Sequence, residues 1–222
     1  MKNIIITTLF TLIQCLIYGK LYSQCTPSTS YSGQGITRVQ FNTIDKSSTA
    51  NNYVSDFTST NTTVEVGSSY NLTITAKSYS SYSSCYVRVW VDWNNDGSFN
   101  TTTGSPSGSG EQYTLGTKYG GTGTTSSSPL SITIPSSASS GSVRMRVSGA
   151  YNSYTTSCAS SADAEFEDYT ININAGPSLS YSSATFCSVD SDPSPALSGN
   201  AGAGTYSSTA GLSINSSTGV ID

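Results

Sequence analysis

The sequence of 222 residues contains no histidine and few charged groups, since only 10% of its residues are acidic or basic. Without an imidazole, the chain cannot form a Ser-His-Asp or Cys-His catalytic pair, because histidine is the general base of such sites. Zinc held by histidine and haem with a proximal histidine are excluded for the same reason. The net charge of −4 argues against a nucleic-acid partner, which requires a basic surface. The composition therefore favours a protein that is not an enzyme.

Helical spacing of apolar residues is also missing beyond the first 24 residues, and alternation of apolar and polar residues takes its place. Alternation with one apolar face is typical of strands that cover a core on one side. It predicts strands over 70–76, 85–93, 130–134, 142–148 and 169–173, and more weakly over 36–41, 53–58 and 62–66. The 46 serine and 30 threonine residues, with many glycines, supply the turns between them. We predict an all-β antiparallel sandwich, Ig-like or jelly-roll-like.

Residues 1–24 have the pattern of a cleaved secretory signal peptide. Lys2 is a short positive region, and an apolar stretch over 4–17 follows it. Because this stretch is too short to span a bilayer comfortably, we expect cleavage near Gln24 and no membrane span in the mature chain. The sequence thus predicts a secreted or cell-surface protein.

If the chain is exported, its cysteines are expected to form disulfides, because disulfides persist in oxidising compartments. The signal peptide removes Cys15 and leaves four candidates for disulfides: Cys25, Cys85, Cys158 and Cys187. Four cysteines allow three pairings, between which the sequence does not choose. The sequence contains no CxxC spacing, which would have indicated a zinc site.

Composition divides the mature chain into two parts. Residues 25–174 hold the predicted sandwich, and 175–177 (Ala-Gly-Pro) form a linker. Residues 178–222 begin a new alternating pattern that is too short to bury a core alone, so they are expected to be an incomplete second β domain. Two segments rich in Ser, Thr and Gly, 101–110 and 120–128, are predicted loops.

The segment 92–98 carries the sharpest chemical signal. Its oxygen-bearing side chains alternate with other residues, and Gly97 permits a sharp bend: Asp92, Asn94, Asp96 and Ser98. This spacing matches the first half of a Ca²⁺ loop. The twelfth position is Thr103, so a closing carboxylate has to come from Glu111 or from 165–168. The alternative is a turn in which Asp and Asn side chains bond their own backbone.

Four carboxylates lie within 163–168. Glu165, Glu167 and Asp168 are candidates for completing the Ca²⁺ site, and pairing with Arg144 and Arg146 is the competing interpretation. A glycosidase pair needs two acids across a cleft, and the sequence indicates no cleft. We therefore predict no catalytic residues.

Three separated runs resemble the GEVED domain of secreted and surface proteins of Bacteroidetes-type bacteria: 87–99 (VRVWVDWNNDGSF), 134–147 (IPSSASSGSVRMRV) and 164–173 (AEFEDYTINI). The family is named for a Gly-Glu-Val-Glu-Asp stretch, of which Glu165, Glu167 and Asp168 match. The resemblance covers 25–174 and implies an extracellular β-sandwich without catalytic activity that accompanies other domains. Residues 178–222 resemble the first half of a bacterial Ig-like or cadherin-like repeat.

These observations predict an exported, non-catalytic module, stabilised by Ca²⁺ and disulfides, that serves adhesion or a larger protein. Its expected partners are the other domains of a longer chain and surface glycans or proteins. The alternative is a carbohydrate-binding module of a polysaccharide-degrading enzyme. In that case Trp90, on the face opposite Val89 and Val91, is the candidate for stacking on a sugar.

Overall fold

The structure is a computed structural model that describes residues 24–30, 33–50, 53–101, 110–160, 162–176, 178–182, 191–198 and 204–221. These residues form β-strands and contain no helix. The described part accordingly holds no helical segment of the length and apolarity needed to cross a membrane. The prediction of an all-β fold is confirmed.

Twelve strands are found in the described residues. In chain order they are β1 (Gly35–Phe41), β2 (Ile44–Ser47), β3 (Val54–Glu65), β4 (Ser69–Lys77), β5 (Ser84–Val91), β6 (Gln112–Tyr119), β7 (Thr122–Thr124), β8 (Leu130–Thr133), β9 (Gly141–Tyr151), β10 (Ala164–Asn174), β11 (Ser178–Ser180) and β12 (Ala196–Ser198). The two weak predictions over 53–58 and 62–66 are one long strand, β3. The predicted loop 120–128 contains the short strand β7, and most of the predicted loop 101–110 lies outside the described residues.

The first ten strands form two five-stranded sheets. The first sheet has the order β2-β1-β4-β7, with β8 also paired to β4, and the second has the order β3-β10-β9-β5-β6. Neighbouring strands are antiparallel except β10 and β3, which run parallel. The predicted antiparallel sandwich is therefore correct apart from this one pair. β3 is an edge strand of the second sheet, next to β10.

The core lies between the sheets, and the alternating residues of the predicted strands fill it. Ile74 from β4, Val89 from β5 and Met145 from β9 are all fully buried members of one cluster. Burial of such a side chain stabilises the fold by about 1.5–3 kcal/mol. The alternation thus places most apolar residues of both sheets on their inner faces. The outer face of the second sheet carries charged groups together with a second, smaller buried cluster of Ala150, Ala164 and Phe166.

Residues after 176 form smaller elements. β11 pairs with β12 in a two-stranded sheet, and Ile214 bridges to Ile221. The Tyr181 hydroxyl donates to the carbonyl of Gly219 at 2.6 Å. The assignment of 178–222 to an incomplete Ig-like domain stays a prediction, as does the linker 175–177.

Candidate functional site

The acidic loop, residues 92–98, begins directly after β5 and folds back onto its own first side chain. Asp92 is only 2% exposed. Its Oδ1 accepts a hydrogen bond from the Asp96 amide at 3.1 Å, and its Oδ2 accepts one from the Gly97 amide at 3.0 Å. Gly97 has a φ of 78°, a conformation that costs glycine little, so the bend predicted there is present.

The other oxygen-bearing residues of the acidic loop are brought to the same turn. The Asn94 Oδ1 accepts from the Asp96 amide at 3.1 Å. The Asp96 Oδ1 accepts from both the amide and the hydroxyl of Ser98, at 2.9 and 2.8 Å. Each of these is a short-range bond to an Asx side chain, two of them from backbone amides and one from the Ser98 hydroxyl, of the kind that stabilises turns. The loop is therefore held in shape by the same side chains that the sequence assigns to Ca²⁺.

Glu111, which immediately precedes β6, lies next to the acidic loop. It is 2% exposed, and its Oε2 accepts from the Asn100 amide at 2.8 Å. Burial raises the pKa of the Glu111 carboxyl, and the negative charges of Asp92 and Asp96 raise it further. Glu111 thus lies close enough to the two loop aspartates for their negative charges to act on its carboxyl group. A cation bound between them would reduce this repulsion.

The loop carboxylates and Glu111 do not form a ready metal cage. Within the described ranges, no group of three or more acidic or cysteine side chains is arranged to hold a metal ion. Oxygens of Asp92, Asp96 and Glu111 bond to backbone amides instead. The donor set is of the hard-oxygen type that suits Ca²⁺, while its present bonds are those of a turn.

Two contacts anchor the acidic loop to the sandwich. The Trp93 indole donates to the hydroxyl of Tyr113 on β6 at 2.9 Å, and both side chains are 2% exposed. The Ser139 hydroxyl donates to the Asn94 carbonyl at 2.8 Å. Because Ser139 belongs to the run 134–147, two of the three sequence motifs meet at this loop.

The inward face of β10 carries two buried carboxylates. The Glu165 Oε2 accepts from the Ile36 amide of β1 at 2.7 Å, and the Glu167 Oε2 accepts from the Tyr169 hydroxyl at 2.7 Å. A Cβ on Gly35 would lie 1.8 Å from the Glu165 Oε2, so only glycine leaves room for this carboxylate. Burial raises the pKa of Glu167, while Ser48, Tyr169 and Lys46 lower it in part. The bond from Ile36 to Glu165 joins the two sheets.

The opposite face of β10 carries Asp168, which pairs with two arginines of β9. Its carboxylate accepts two bonds from Arg146, both at 2.7 Å, and one from Arg144 at 3.2 Å. The Arg146 Nη1 also donates to the carbonyls of Cys25 and Ser157, at 2.9 and 2.8 Å. Arg146 is 1% exposed. The predicted pairing of this acidic stretch with Arg144 and Arg146 is thus confirmed for Asp168.

The predicted metal ligands therefore fall into separate groups. Asp92, Asn94, Asp96 and Ser98 share one turn, and Glu111 is their acidic neighbour. The hydrogen bonds of Glu165 and Glu167 connect them to β1 and Tyr169, and those of Asp168 to the arginines. These separated groups lie within one stretch of the chain that is similar to a known family. Residues 86–172 match the model of the GEVED domain.

The GEVED match begins in β5 and ends in β10, so it contains both the acidic loop and the carboxylates of β10. It agrees with the resemblance carried by the three sequence runs over this part of the chain. Ala164 and Phe166 stand where the family name has Gly and Val, and both are fully buried. No curated protein matches the chain.

One disulfide joins the N-terminal segment to the GEVED match. Cys25 and Cys158 are bonded, with their Cα atoms 5.6 Å apart. Cys85, a predicted disulfide candidate, is a free and fully buried thiol, which corrects that prediction. Its side chain points into the core, where burial raises its pKa to about 12. Cys187 lies outside the described residues.

Trp90 is not available for stacking on a ligand, so the prediction of a sugar platform there is wrong. The residue is fully buried, and its indole N–H donates to the Gln112 Oε1 at 3.1 Å. Trp90 lies directly opposite Arg146, whose guanidinium contacts Cys25, Ser157 and the Phe99 ring. The outer face of the second sheet is thus covered by chain segments at this point.

Exposed aromatic groups lie instead at one end of the sandwich. We call them the tyrosine cluster: Tyr79, Tyr82, Tyr119 and Tyr151, which are 49%, 89%, 60% and 37% exposed. The rings of Tyr79 and Tyr151 meet edge to face with centroids 5.9 Å apart. Tyr119 pairs with Ser84 and Tyr151 with Cys85, so both flank the start of β5. The sequence has 15 tyrosines, but the positions of these four in loops and at strand ends follow no pattern that predicts a shared surface.

Sequence reasoning did not predict that Gln24 contacts the acidic loop. Its side chain is 8% exposed, and its Nε2 donates to the Asp92 Oδ2 at 2.8 Å. No local pattern marks this residue, because the contact joins positions 68 residues apart. Gln24 therefore belongs to the surroundings of the acidic loop.

Proposed function

We propose that this chain is an exported, non-catalytic β-sandwich module of a cell-surface or secreted protein, serving adhesion or a larger protein to which it belongs. The observation that carries the proposal is the use of the β10 carboxylates. Glu165 bonds a backbone amide of the facing sheet, Glu167 bonds Tyr169, and Asp168 bonds two arginines. A catalytic acid or base must instead reach a substrate. These acids support a role in holding the fold.

The disulfide supports export. Bonds of this kind persist in oxidising compartments and are rare in the cytosol. Cys25 follows the predicted signal peptide directly, and its bond to Cys158 ties the start of the mature chain to the loop before β10. The GEVED match over 86–172 agrees with an extracellular setting, which the resemblance implies.

We also propose that Ca²⁺ stabilises the acidic loop. Asp92, Asn94, Asp96 and Ser98 supply hard oxygens, and Glu111 is the nearby buried carboxylate. Burial is the main cause of the raised pKa of Glu111, and the negative charges of Asp92 and Asp96 raise it further. The closeness of these three carboxylates supports the assignment, because a divalent cation between them would offset their repulsion. The cation would add rigidity to the end of β5 and would take no part in a reaction.

Substitution of Glu165 tests the non-catalytic role. Glu165→Ala leaves the buried Ile36 amide without its acceptor, so we expect it to reduce the free energy of unfolding by about 1–3 kcal/mol. We also expect the wild-type chain to hydrolyse no glycoside, ester or peptide substrate. The proposal fails if the wild type hydrolyses one of them and Glu165→Gln abolishes that activity at an unchanged melting temperature.

The tyrosine cluster favours a second candidate function, binding of a neutral glycan. Exposed tyrosine rings stack on the apolar faces of sugars, and their hydroxyls form hydrogen bonds. Serine side chains surround the cluster in the segment 78–84, which has no charged residue. This surface replaces Trp90 as the candidate platform.

Affinity electrophoresis in gels that contain neutral polysaccharides tests this candidate. The wild type should be retarded, and the double variant Tyr82→Ala/Tyr119→Ala should run freely. Tyr53→Ala removes an exposed tyrosine just before β3, at the other edge of the second sheet, and should bind like the wild type. Equal retardation of all three proteins, or of none, would eliminate the tyrosine cluster as a glycan site.

A further inference from the structure

The N-terminal segment 24–30 is part of the folded sandwich from its first residue. The Ser28 amide donates to the carbonyl of Ala159, and the Ala162 amide donates to the carbonyl of Ser28, both at 3.0 Å. The Gln24 side chain is buried and bonds the Asp92 carboxylate at 2.8 Å. Cleavage after Gln24, which the sequence alone suggests, would remove this contact with the acidic loop.

Charge also distinguishes the two bonds at which the signal peptide could be cut. Cleavage creates a new α-ammonium group, which is largely protonated at neutral pH. On Cys25 this group would lie on the residue whose carbonyl accepts from the buried guanidinium of Arg146 at 2.9 Å. On Gln24 it would lie on the residue that already bonds the Asp92 carboxylate. Like charges repel and opposite charges attract, so the second position is the favourable one.

The residues that precede the two bonds also favour cleavage before Gln24. Signal peptidases cut after small residues. Ser23, which precedes Gln24, is small, whereas Gln24, which precedes Cys25, is not. We propose that the exported chain is cut between Ser23 and Gln24, so that Gln24 is the first residue of the mature protein and its side chain fastens the acidic loop.

The disulfide separates this processing from lipoprotein maturation. A lipoprotein carries its lipid on the thiol of its first residue, which would be Cys25. That thiol is bonded to Cys158. The mature chain therefore begins at Gln24 and carries the disulfide, not a lipid, at the next residue. This inference rests on the proposed export of the chain.

The N-terminal peptide of the exported protein tests the inference. The full chain, with a C-terminal tag, is produced in a bacterium with a secretory pathway, and the exported fraction is digested and measured by mass spectrometry. We expect the N-terminal peptide to begin at Gln24. A peptide that begins at Cys25, or one that carries a lipid on Cys25, overturns the inference while export stands. An uncut chain that stays inside the cell contradicts export itself.

Two matched variants test whether Ser23 directs the cleavage. Ser23→Leu should abolish the peptide that begins at Gln24, because it removes the small residue before the bond. Thr26→Leu changes an exposed residue three positions downstream and should leave that peptide unchanged. Normal amounts of the Gln24 peptide from Ser23→Leu would show that Ser23 does not direct the cut.

Discussion

At the scale of single residues, the outer face of the second sheet depends on a buried ion pair. Arg146 and Asp168 are 1% and 5% exposed, and two parallel hydrogen bonds join them. The remaining guanidinium nitrogen bonds the carbonyls of Cys25 and Ser157. Removal of one partner leaves the other buried without compensation, which costs far more than the loss of a surface pair.

Arg146→Ala should therefore reduce the free energy of unfolding by about 3–5 kcal/mol, as measured by urea denaturation. Arg38→Ala is the control, because Arg38 forms a two-bond pair with Asp45 of the same geometry on an exposed surface. Solvent screens that pair, so its variant should unfold at nearly the wild-type urea concentration. Similar losses for both variants would contradict the assigned role of burial.

The same residues show what single-residue reasoning could predict. The need of Arg144 and Arg146 for anions, and the acids at 163–168, predicted the pairing now seen at Asp168. The burial of Trp90 could not be predicted from its own strand, because its neighbour Arg146 binds segments that are distant in sequence, at Cys25 and Ser157. The contact of Gln24 with Asp92 could not be predicted either, because it joins positions 68 residues apart.

At the scale of elements, the two faces of β10 carry acidic side chains that make different contacts. Its inward carboxylates Glu165 and Glu167 lie among core residues, and its outward Asp168 binds β9. Burial raises the pKa of Glu167. Over the pH range from its ordinary value of 4.5 up to that raised value, the folded chain binds more protons than the unfolded chain. This group therefore makes stability fall as pH rises through that range.

Glu167→Gln should flatten this part of the pH dependence, because the amide does not titrate. The measurement is the free energy of unfolding in urea at intervals from pH 4.5 to pH 8. Glu65→Gln removes an exposed carboxylate from β3 and should keep the wild-type slope. If Glu167→Gln retains that slope as well, Glu167 is not the group responsible.

Alternation predicted the strands in which one face is continuous and apolar, such as β4, β5 and β9. It missed β6, where Tyr113 and Leu115 are buried but the run is broken by Gly116, at a bulge in the pairing with β5. It also gave no sign that β3 runs parallel to β10. That direction is set by the path of the chain between distant elements, which a local pattern does not contain.

At the scale of the whole molecule, the Cys25–Cys158 bond joins positions 133 residues apart. A crosslink between distant positions restricts the unfolded chain, and removal of such a bond costs about 2–5 kcal/mol. The double variant Cys25→Ser/Cys158→Ser should therefore melt at a lower temperature than the wild type. Reductant should lower the wild-type melting temperature to that of the variant and leave the variant unchanged. A wild type that is insensitive to reductant would contradict this account.

The central proposal is that the acidic loop binds Ca²⁺ and that the ion stabilises a non-catalytic sandwich. Scanning calorimetry of the full chain, in excess EGTA and in millimolar Ca²⁺, tests it most directly. A ligand at 100 times its dissociation constant stabilises the folded state by about 2.7 kcal/mol, so Ca²⁺ should raise the melting temperature clearly. Asp45→Asn, which removes an exposed carboxylate elsewhere, should keep this response, and Asp96→Asn should lose it. Identical melting of the wild type in EGTA and in Ca²⁺ would contradict the claim, and the acidic loop would then be a turn held by its own side chains.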